Sequence, residues 1–320
     1  MKFKNHLLAL CMAGLFLVPA VQNSNAQTAE VSTQEGIAKT AEVSVSGGAV
    51  KTDENSISKN PIELTEKKDM TFLNGKSGVV TPGRLSEETF KNVINSALKC
   101  KIEKFTFNDT ISGCLSMLKS DRVDFMMTTD VAAIYIAQRN PDMKVVIYPG
   151  QIDVVMVLRN SDSALKDSIN AAIKQLKANG TLAELEKKWI KELPVGQEPS
   201  MSKIEKVSDT AETIFVGVSG TMPPLDYIAS NGKPAGYNIA MLTEISKVTG
   251  KNIEVISIDS QSEFTALAAK KIDVFFWGCK PVNKSIAEDL KKTSDQQNYD
   301  RNFTMTDPYY SVKEGFLLKK

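Results

Sequence analysis

The sequence predicts an α/β protein with two lobes. Apolar runs of strand length alternate with stretches that carry apolar residues at helical spacing, and this alternation begins near Leu73 and starts again at Ile214. Such alternation is typical of α/β folds with mainly parallel sheets. Residues 194–212 separate the two blocks; they are polar and contain Gly196 and Pro199, which indicates a linker. Since each block has about one hundred residues, each is large enough to form a lobe of its own.

The first 26 residues have the composition of a cleaved export signal. Two lysines precede an apolar run from Leu7 to Val18, and the segment ends in Ser24-Asn25-Ala26, with small residues two positions apart. An apolar run of about a dozen residues is too short to span a hydrocarbon core of about 30 Å. We therefore expect cleavage after Ala26 and a periplasmic protein. A lipid anchor on Cys11 is less favoured, because the large Leu10 precedes it.

Composition excludes several classes of site. The formal net charge is +1, and loss of the signal removes only two lysines, so the exported chain stays near neutrality and offers no basic surface for nucleic acid. The one histidine, His6, lies in the signal. The exported chain therefore has no Ser-His-Asp triad, no Cys-His dyad and no histidine metal site. We expect neither a cofactor nor a metal.

Three cysteines remain after export, Cys100, Cys114 and Cys279. In an oxidising compartment Cys100 and Cys114 could form a disulfide, which would leave Cys279 unpaired. The alternative is three buried thiols, and the spacing matches no metal-binding motif. Both interpretations stay open.

A flexible leader and a first run of alternating elements precede the linker. Residues 27–62 are rich in Ser, Thr, Ala and Gly and poor in large apolar side chains, so they bury too little surface to offset the entropy of ordering. Ser86 is the expected N-cap of a helix that runs through Leu98, and Asp109 or Thr110 caps the next helix. Strands are predicted at 77–80, 105–107, 123–127 and 154–158, and helices at 111–118, 131–136 and 163–193, the last interrupted at Asn179-Gly180.

The second block repeats this alternation. A strand is predicted at 214–218, followed by a helix at 238–248, a strand at 253–258, a helix at 264–269 and a strand at 272–276. Of the two tryptophans, Trp189 continues an apolar helical stripe and is expected in the core. Trp277 follows a strand, and the sequence favours a core position and a ligand contact equally.

Six short motifs of the second block stand in the order and spacing of a known family. They are Val216-Gly217-Val218, Pro223-Pro224-Leu225, Asn231-Gly232-Lys233, Gly236-Tyr237-Asn238-Ile239, Lys271-Ile272-Asp273 and Thr306-Asp307-Pro308-Tyr309-Tyr310. Together they resemble the opening of the family 3 bacterial extracellular solute-binding proteins, the polar-amino-acid binders of ABC importers. The first block resembles the later part of the same family, through Leu73-Asn74-Gly75-Lys76, Gly83-Arg84-Leu85-Ser86-Glu87, Arg122-Val123-Asp124, Asn170, Gly180 and Lys188-Trp189.

The resemblance implies a two-lobed, periplasmic-binding-protein-like fold of type 2, with the two halves of the chain in swapped order. The implied parts are a second lobe at 63–152 completed by 314–320, a returning part of the first lobe at 153–193, and the rest of the first lobe at 213–313. Two segments, near Pro149–Val154 and Tyr310–Gly315, then cross between the lobes. This order is that of a circular permutation with 194–212 as its linker. The alternative is two half-proteins from a tandem array, but the halves complement each other without duplication, which favours permutation.

The resemblance also implies a function and a site. The protein would capture a small polar ligand, such as an amino acid, by closure of the lobes, and would act as a monomer that delivers the ligand to an ABC permease without catalysis. Asp130 is the expected partner of an ammonium group, with Thr129 as the competing position. The turn at Arg84, which opens a helix, offers backbone N–H groups to an anion. The expected site residues are Asp130, Thr129, Arg84, Leu85 and Ser86 from the second lobe and Ser219, Met222, Ser260, Trp277, Gly278 and Lys284 from the first.

One departure from the family concerns the clamp for the ligand carboxylate. The family usually follows its first-lobe strand with a Thr-x-x-Arg segment, whereas this chain reads Cys279-Lys280-Pro281-Val282-Asn283-Lys284. Lys284, Arg84 or Arg301 could replace the missing arginine, although lysine lacks the bidentate fork of a guanidinium group. Whether the ligand is an ordinary amino acid therefore stays open.

Two other classes of function also stay open. An enzyme on the same fold, such as a periplasmic dehydratase of prephenate-like acids, would need a general acid and a general base, and no such pair stands out in the sequence. A sensory or adhesive surface module without transport is the third class. Turnover of such acids would indicate the enzyme, and failure to bind any small solute would indicate the surface module.

Overall fold

The computed structural model of the protein describes residues 62–81, 86–193, 195, 201, 203–280 and 301–320. These residues belong to one compact unit. The predicted signal, the leader up to residue 61 and residues 281–300 lie outside the described part, as do Arg84, Leu85 and Lys284 among the expected site residues. Within the described part, no helix combines the length and apolarity that a membrane crossing requires.

Strands and helices alternate along most of the described chain. The strands are β1 (Glu63–Glu66), β2 (Ser77–Val80), β3 (Lys104–Phe107), β4 (Phe125–Thr129), β5 (Met143–Arg159), β6 (Thr213–Val218), β7 (Thr221–Met222), β8 (Asp226–Ile228), β9 (Pro234–Ala235), β10 (Asn252–Ser257), β11 (Val274–Lys280), β12 (Phe303–Met305) and β13 (Tyr310–Lys319). The α-helices are α1 (Glu87–Leu98), α2 (Ile111–Lys119), α3 (Asp130–Gln138), α4 (Ser163–Ala178), α5 (Thr181–Glu186), α6 (Tyr237–Thr249) and α7 (Glu263–Ala268). A 3₁₀ turn at Thr71–Leu73 and a π-helical turn at Lys187–Lys191, which continues α5, complete the described elements.

The two long strands β5 and β13 form the axis of the main sheet. They pair antiparallel with each other from Tyr310 opposite Val154 to Lys319 opposite Met143. The strand order is β10-β6-β11-β5-β13-β4-β2-β3, and β1 and β12 also pair with β5. At one end of the long pair, β1 joins β5 and β4 joins β13; at the other end, β11 and β12 join β5. We call β1–β4 with the adjoining ends of β5 and β13 the second-lobe strands, and β6, β10, β11 and β12 with the opposite ends the first-lobe strands.

The pairing of the long strands is interrupted where the two sets of strands meet. Lys313 stands opposite Gln151, and the next residue, Glu314, stands opposite Tyr148. Two residues of β5, Pro149 and Gly150, are thus left without a partner in the ladder. Such a bulge bends the strand that carries it and increases its twist. The bend lies at the segment that the sequence predicted to cross between lobes.

The main sheet is mixed where mainly parallel sheets were predicted: among the described strands, five of its pairings are parallel and four are antiparallel. β6 runs parallel to β10 and β11, and β2 runs parallel to β3 and β4. However, β13 runs antiparallel to β4 and β5, and β5 runs antiparallel to β11 and β12. The alternation of strands and helices contains no information about the direction of strands whose partners lie more than a hundred residues away in the chain.

Local sequence signals predicted the helix starts well. Ser86 caps α1, with its Oγ accepting from the N–H of Thr89, and Thr110, not Asp109, caps α2 through the N–H of Gly113. Gly180, at φ 82°, separates α4 from α5 as predicted. The predicted strand at 123–127 is displaced to Phe125–Thr129. The strand β1, the first half of β5 and the small hairpin β7-β8-β9 were not predicted.

Two hydrophobic layers cover the faces of the second-lobe strands. Cys100 packs in the layer that contains Val80 and Phe105, whereas Cys114 packs in the layer that contains Val79. Both cysteines are buried free thiols on opposite faces of the sheet, which decides for these two between the open interpretations in favour of buried thiols. Burial raises the pKa of the Cys114 thiol to about 12, so it stays protonated at neutral pH. The side chain of Cys279 lies outside the described part.

Candidate functional site

A contact between the two sets of strands marks the candidate site. The hydroxyl groups of Thr128 and Thr129 lie 3.6 and 3.8 Å from the sulfur of Met222, within donor distance of a thioether. The two threonines end β4 of the second lobe, and Met222 ends β7 in the first-lobe half of the chain. All three side chains are buried. Two of the expected site residues, Thr129 and Met222, thus meet across the chain.

Thr129 and Asp130 organise the start of α3. The Oγ1 of Thr129 caps the helix by accepting from the N–H of Ala132 at 3.3 Å. The Oδ1 of Asp130 accepts from the N–H of Val131 at 2.9 Å and from the N–H of Lys313 at 3.0 Å. Burial raises the pKa of Asp130, against these two N–H groups, which lower it. Asp130 therefore fastens the crossing strand β13 to α3, while no described residue donates to its Oδ2.

A buried carboxylate holds the first-lobe side of the site. Asp226 pairs with Met222 in the β7-β8 hairpin and is fully buried. Its Oδ2 accepts from the side-chain amide of Asn238 at 2.9 Å and from the indole N–H of Trp277 at 2.6 Å. Burial raises the pKa of Asp226 to about 6, although the donors Trp277 and Asn238 and the backbone of Gly220 and Met222 lower it. This acid was not predicted from the sequence, because its partners come from distant parts of the chain.

The backbone at Trp277 is unusual. Trp277 has a φ of 70°, in the left-handed region that residues with a Cβ rarely adopt, and the ladder between β11 and β5 is irregular there, between Phe275 and Gly278. The hydrogen bond to Asp226 helps to hold the half-buried indole in this position. A side chain at Gly278 would approach the methyl groups of Val157 and Val155 at 2.5 and 2.9 Å. Gly278 therefore packs on β5, and Trp277 directs its ring to Asp226, which pairs with Met222 in the β7-β8 hairpin.

The other expected site residues with polar side chains in the described part, Ser86, Ser219 and Ser260, are exposed or partly exposed. Ser86 is exposed, and its Oγ is occupied by capping α1. The hydroxyl of Ser219 lies 3.1 Å from that of Thr221, at the start of the β7-β8 hairpin. Ser260 is partly exposed in the loop between β10 and α7. The structure describes neither Arg84, Leu85 nor Lys284.

None of the four described arginines replaces the missing carboxylate clamp. Arg159 is engaged by Asp162 and Asp273, and Arg139 stacks on Tyr135 with its guanidinium carbon 3.6 Å from the ring centre. Arg122 is exposed in the turn before β4. Arg301 is exposed just before β12, which pairs with the end of β5 that is farthest from the bulge. The proposal that Arg301 holds the ligand therefore has no support in the described part of the chain.

Glu314 is a second buried acid that was not predicted from the sequence. It is 3% exposed and stands directly opposite Thr129 in the β13-β4 ladder. Neither of its carboxyl oxygens accepts a hydrogen bond from a described residue. Burial, and after it the charge of Asp130, raises the pKa of Glu314 well above its usual range. A signal was present in the sequence, since strand alternation puts Glu314 on the same face as the apolar Phe316 and Leu318.

A cavity of about 540 Å³ lies elsewhere, beside β1 and the far ends of β5 and β13. Its charged lining comprises Glu63, Lys67, Lys76, Asp121, Asp124, Lys144 and Lys319. Several of these charges compensate each other: Lys319 pairs with Asp121 at 2.7 Å, and Lys76 lies 3.9 Å from Asp124. The cavity shares no residue with the contact at Met222.

Comparisons with known proteins agree with the family resemblance. The model of the bacterial extracellular solute-binding proteins, family 3, matches residues 50–192 and 214–320. The arginine-binding extracellular protein ArtP of Bacillus subtilis is 31% identical over 121 residues, which are 37% of this chain and 46% of ArtP; the chain thus matches about half the length of this relative.

Among solved structures, the L-cystine solute receptor of Neisseria gonorrhoeae is 13% identical with a TM-score of 0.33, covering 82% of this chain and 81% of the receptor. The ligand-binding component of an ABC-type import system from Staphylococcus aureus is 10% identical with a TM-score of 0.37, covering 80% of this chain and 66% of that one. Because the family model matches well over half of its residues, this chain belongs to the bacterial extracellular solute-binding proteins, family 3.

Proposed function

We propose that this protein captures a small polar solute between its two lobes outside the cytoplasm and delivers it to an ABC permease. The observation that carries the proposal is the contact of Met222 with Thr128 and Thr129. It joins the two sets of strands beside the bulge of the long strands, where a change in bend would open or close a cleft. Export from the cytoplasm rests on family membership and on the composition of residues 1–26.

Closure of the lobes follows from where the polar groups lie. Asp130 on the second-lobe side and Trp277 on the first-lobe side flank the contact at Met222. A ligand that touches both sides stabilises the closed arrangement over the open one, so occupancy changes the shape of the protein. A permease that recognises the closed shape would then receive only the loaded protein.

The ligand class is that of a small molecule with a positively charged group. The Oδ2 of Asp130, to which no described residue donates, suits an ammonium group, because a buried charge is stable only when paired. The indole of Trp277 adds an apolar platform. The described part of the chain contributes no arginine for a carboxylate, so an anion at this site would depend on backbone N–H groups or on residues outside the described part. ArtP, the curated relative, is named for arginine binding, which agrees with such a ligand.

Circular permutation accounts for the order of the halves. The family model matches the chain in two separate stretches on either side of residues 193–213, as a permuted chain would produce. The end of the proposed linker is tied to the first-lobe strands, since Asn252 in β10 accepts from the N–H of Val207 and donates to the carbonyl groups of Ser208 and Ala211. Such a linker joins two former chain ends at the surface and leaves both crossing strands whole.

A thermal-shift panel combined with tryptophan fluorescence tests ligand capture. The purified exported protein is melted with amino acids, short peptides and small carboxylates; a ligand at a hundredfold excess over its Kd stabilises the folded state by about 2.7 kcal/mol. The Trp189→Phe variant retains only Trp277, at the site, and its fluorescence should change with the same ligand. The matched Trp277→Phe variant retains only Trp189, in the core, and should stay silent. Unchanged melting and unchanged fluorescence across the panel would refute the proposal.

A further inference from the structure

From the position of Glu314 we infer that this residue binds the positively charged group of the ligand, and that the site selects cationic solutes over neutral solutes of the same shape. The inference rests on the proposed function and deepens it. Its basis is a buried carboxyl group that lies beside Thr129 in the sheet and has no partner among the described residues.

The register of the sheet determines where the side chain of Glu314 points. Residues directly opposite each other in an antiparallel pair extend to the same face of the sheet, so Glu314 lies beside Thr129. The hydroxyl of Thr129 in turn lies 3.8 Å from the sulfur of Met222. The next residue, Gly315, faces the other way, because a Cβ there would lie 2.9 Å from the Cβ of Ala133 in α3. Glu314 therefore extends to the face opposite that of a side chain at Gly315, the face that it shares with Thr129.

The carboxyl group of Glu314 differs from the other acids of the site in the number of hydrogen bonds that it accepts from described residues. Asp226 accepts from two side-chain donors, and the Oδ1 of Asp130 accepts from two backbone N–H groups. Glu314 accepts from no described residue at either oxygen. A buried polar group without a partner is costly, and a cationic ligand would supply both the charge and the donors that Glu314 lacks.

No described cation of the protein fills this role. The neighbouring Lys313 directs its ammonium group to the exposed Glu66, at 2.9 Å. The ionisable groups close to Glu314 on the facing elements are Asp130, at the start of α3, and Tyr148, opposite it in β5. Neither is positively charged. The position thus collects acidic groups without a described cation, and a cationic ligand in contact with Glu314 would favour its ionised form.

Matched pairs of ligands separate charge from shape. We would measure the Kd of L-lysine against L-norleucine and of L-arginine against L-citrulline, with L-glutamate as an anionic probe, at pH 7. The wild-type protein should bind the cationic member of at least one pair ten times more tightly than the neutral member. The Glu314→Gln variant should weaken the cationic ligand at least tenfold and change the neutral ligand less than twofold. The control Glu66→Gln, at an exposed acid paired with Lys313, should change neither.

Each outcome either supports or overturns the inference. Equal affinity of the wild-type protein for the members of both pairs, or preference for L-glutamate, overturns it and leaves ligand capture intact. Equal weakening of both members by Glu314→Gln also overturns it, because the residue would then act on the structure of the site and not on charge. Binding of no probe, together with a flat thermal panel, overturns the proposed function itself. The comparison within the wild-type protein needs no variant, so it holds even if Glu314→Gln does not fold.

Discussion

Two buried carboxyl groups, one on each side of the contact at Met222, illustrate how burial alone does not define a role. Asp226 on the first-lobe side is 0% exposed, and Glu314 in the second-lobe ladder is 3% exposed. Burial raises the pKa of both. Asp226 has two side-chain donors, Trp277 and Asn238, while Glu314 has none among the described residues. The difference indicates that Asp226 positions other side chains, whereas the carboxyl group of Glu314 is available to bind a ligand.

This contrast has a thermodynamic consequence. Removing Asn238 or Trp277 would leave the buried Oδ2 of Asp226 short of a donor, and a buried acceptor that loses its donor carries its full desolvation cost. Replacing Glu314 removes no hydrogen bond with a described residue. Mutations around Asp226 should therefore destabilise the fold, and mutation of Glu314 should spare the fold and affect binding.

The largest expected effect is that of Asn238→Ala. This variant removes a 2.9 Å hydrogen bond to a fully buried carboxyl group and leaves a small cavity, so the free energy of unfolding should fall by about 3 kcal/mol. Urea denaturation at pH 7 measures the change. Glu314→Gln, in the same experiment, should lower the free energy of unfolding by less than 1 kcal/mol or raise it. A loss at Glu314 as large as that at Asn238 would contradict the distinction between the two acids.

The pH dependence of stability gives the next largest effect. The pKa of Asp226 is about 6 in the folded protein against a reference of 3.8, so between about pH 6 and pH 4 the folded state holds a proton that the unfolded chain does not. The folded state is therefore stabilised as the pH falls, and the contribution of Asp226 should be about 2 kcal/mol between pH 8 and pH 4. Asp226→Asn removes this contribution, so urea denaturation at both pH values should show a smaller gain for the variant. An identical gain in both proteins would place the source of the pH dependence elsewhere.

The sequence contained enough information for the local parts of the fold and too little for the contacts that build the site. Ser86, Thr110 and Gly180 were recognisable because caps and stops depend on a few neighbouring residues. The full length of β5 was missed because Pro149 and Gly150 interrupt its apolar pattern, and only its second half resembles an isolated strand.

The site residues show the same limit. Family resemblance led to Thr129, Asp130, Met222 and Trp277, and the contact of Thr129 with Met222 joins residues 93 positions apart. The bond between Trp277 and Asp226, over 51 positions, leaves no trace in a local pattern. The burial of Glu314 could have been predicted, because an acid on the apolar face of a strand is a local signal of an unusual buried charge.

The smallest expected effect concerns two helix caps, one at the site and one away from it. Thr129 caps α3, and Thr110 caps α2, each through its hydroxyl group and an N–H three residues later. Thr129→Ala and Thr110→Ala should each lower the free energy of unfolding by about 1 kcal/mol, because each leaves a helix start without its side-chain acceptor.

Of these two capping threonines, Thr129 also contacts Met222 and stands beside Glu314, whereas Thr110 lies in another part of the fold. Titration of both variants with L-lysine should therefore show weaker binding for Thr129→Ala and wild-type affinity for Thr110→Ala, despite similar losses of stability. If both variants weaken binding equally, fraying of a helix would explain the effect, and Thr129 would have no special position. If only Thr129→Ala does so, the cap, the contact with Met222 and Glu314 belong to one site, in which a single threonine serves both the fold and the ligand.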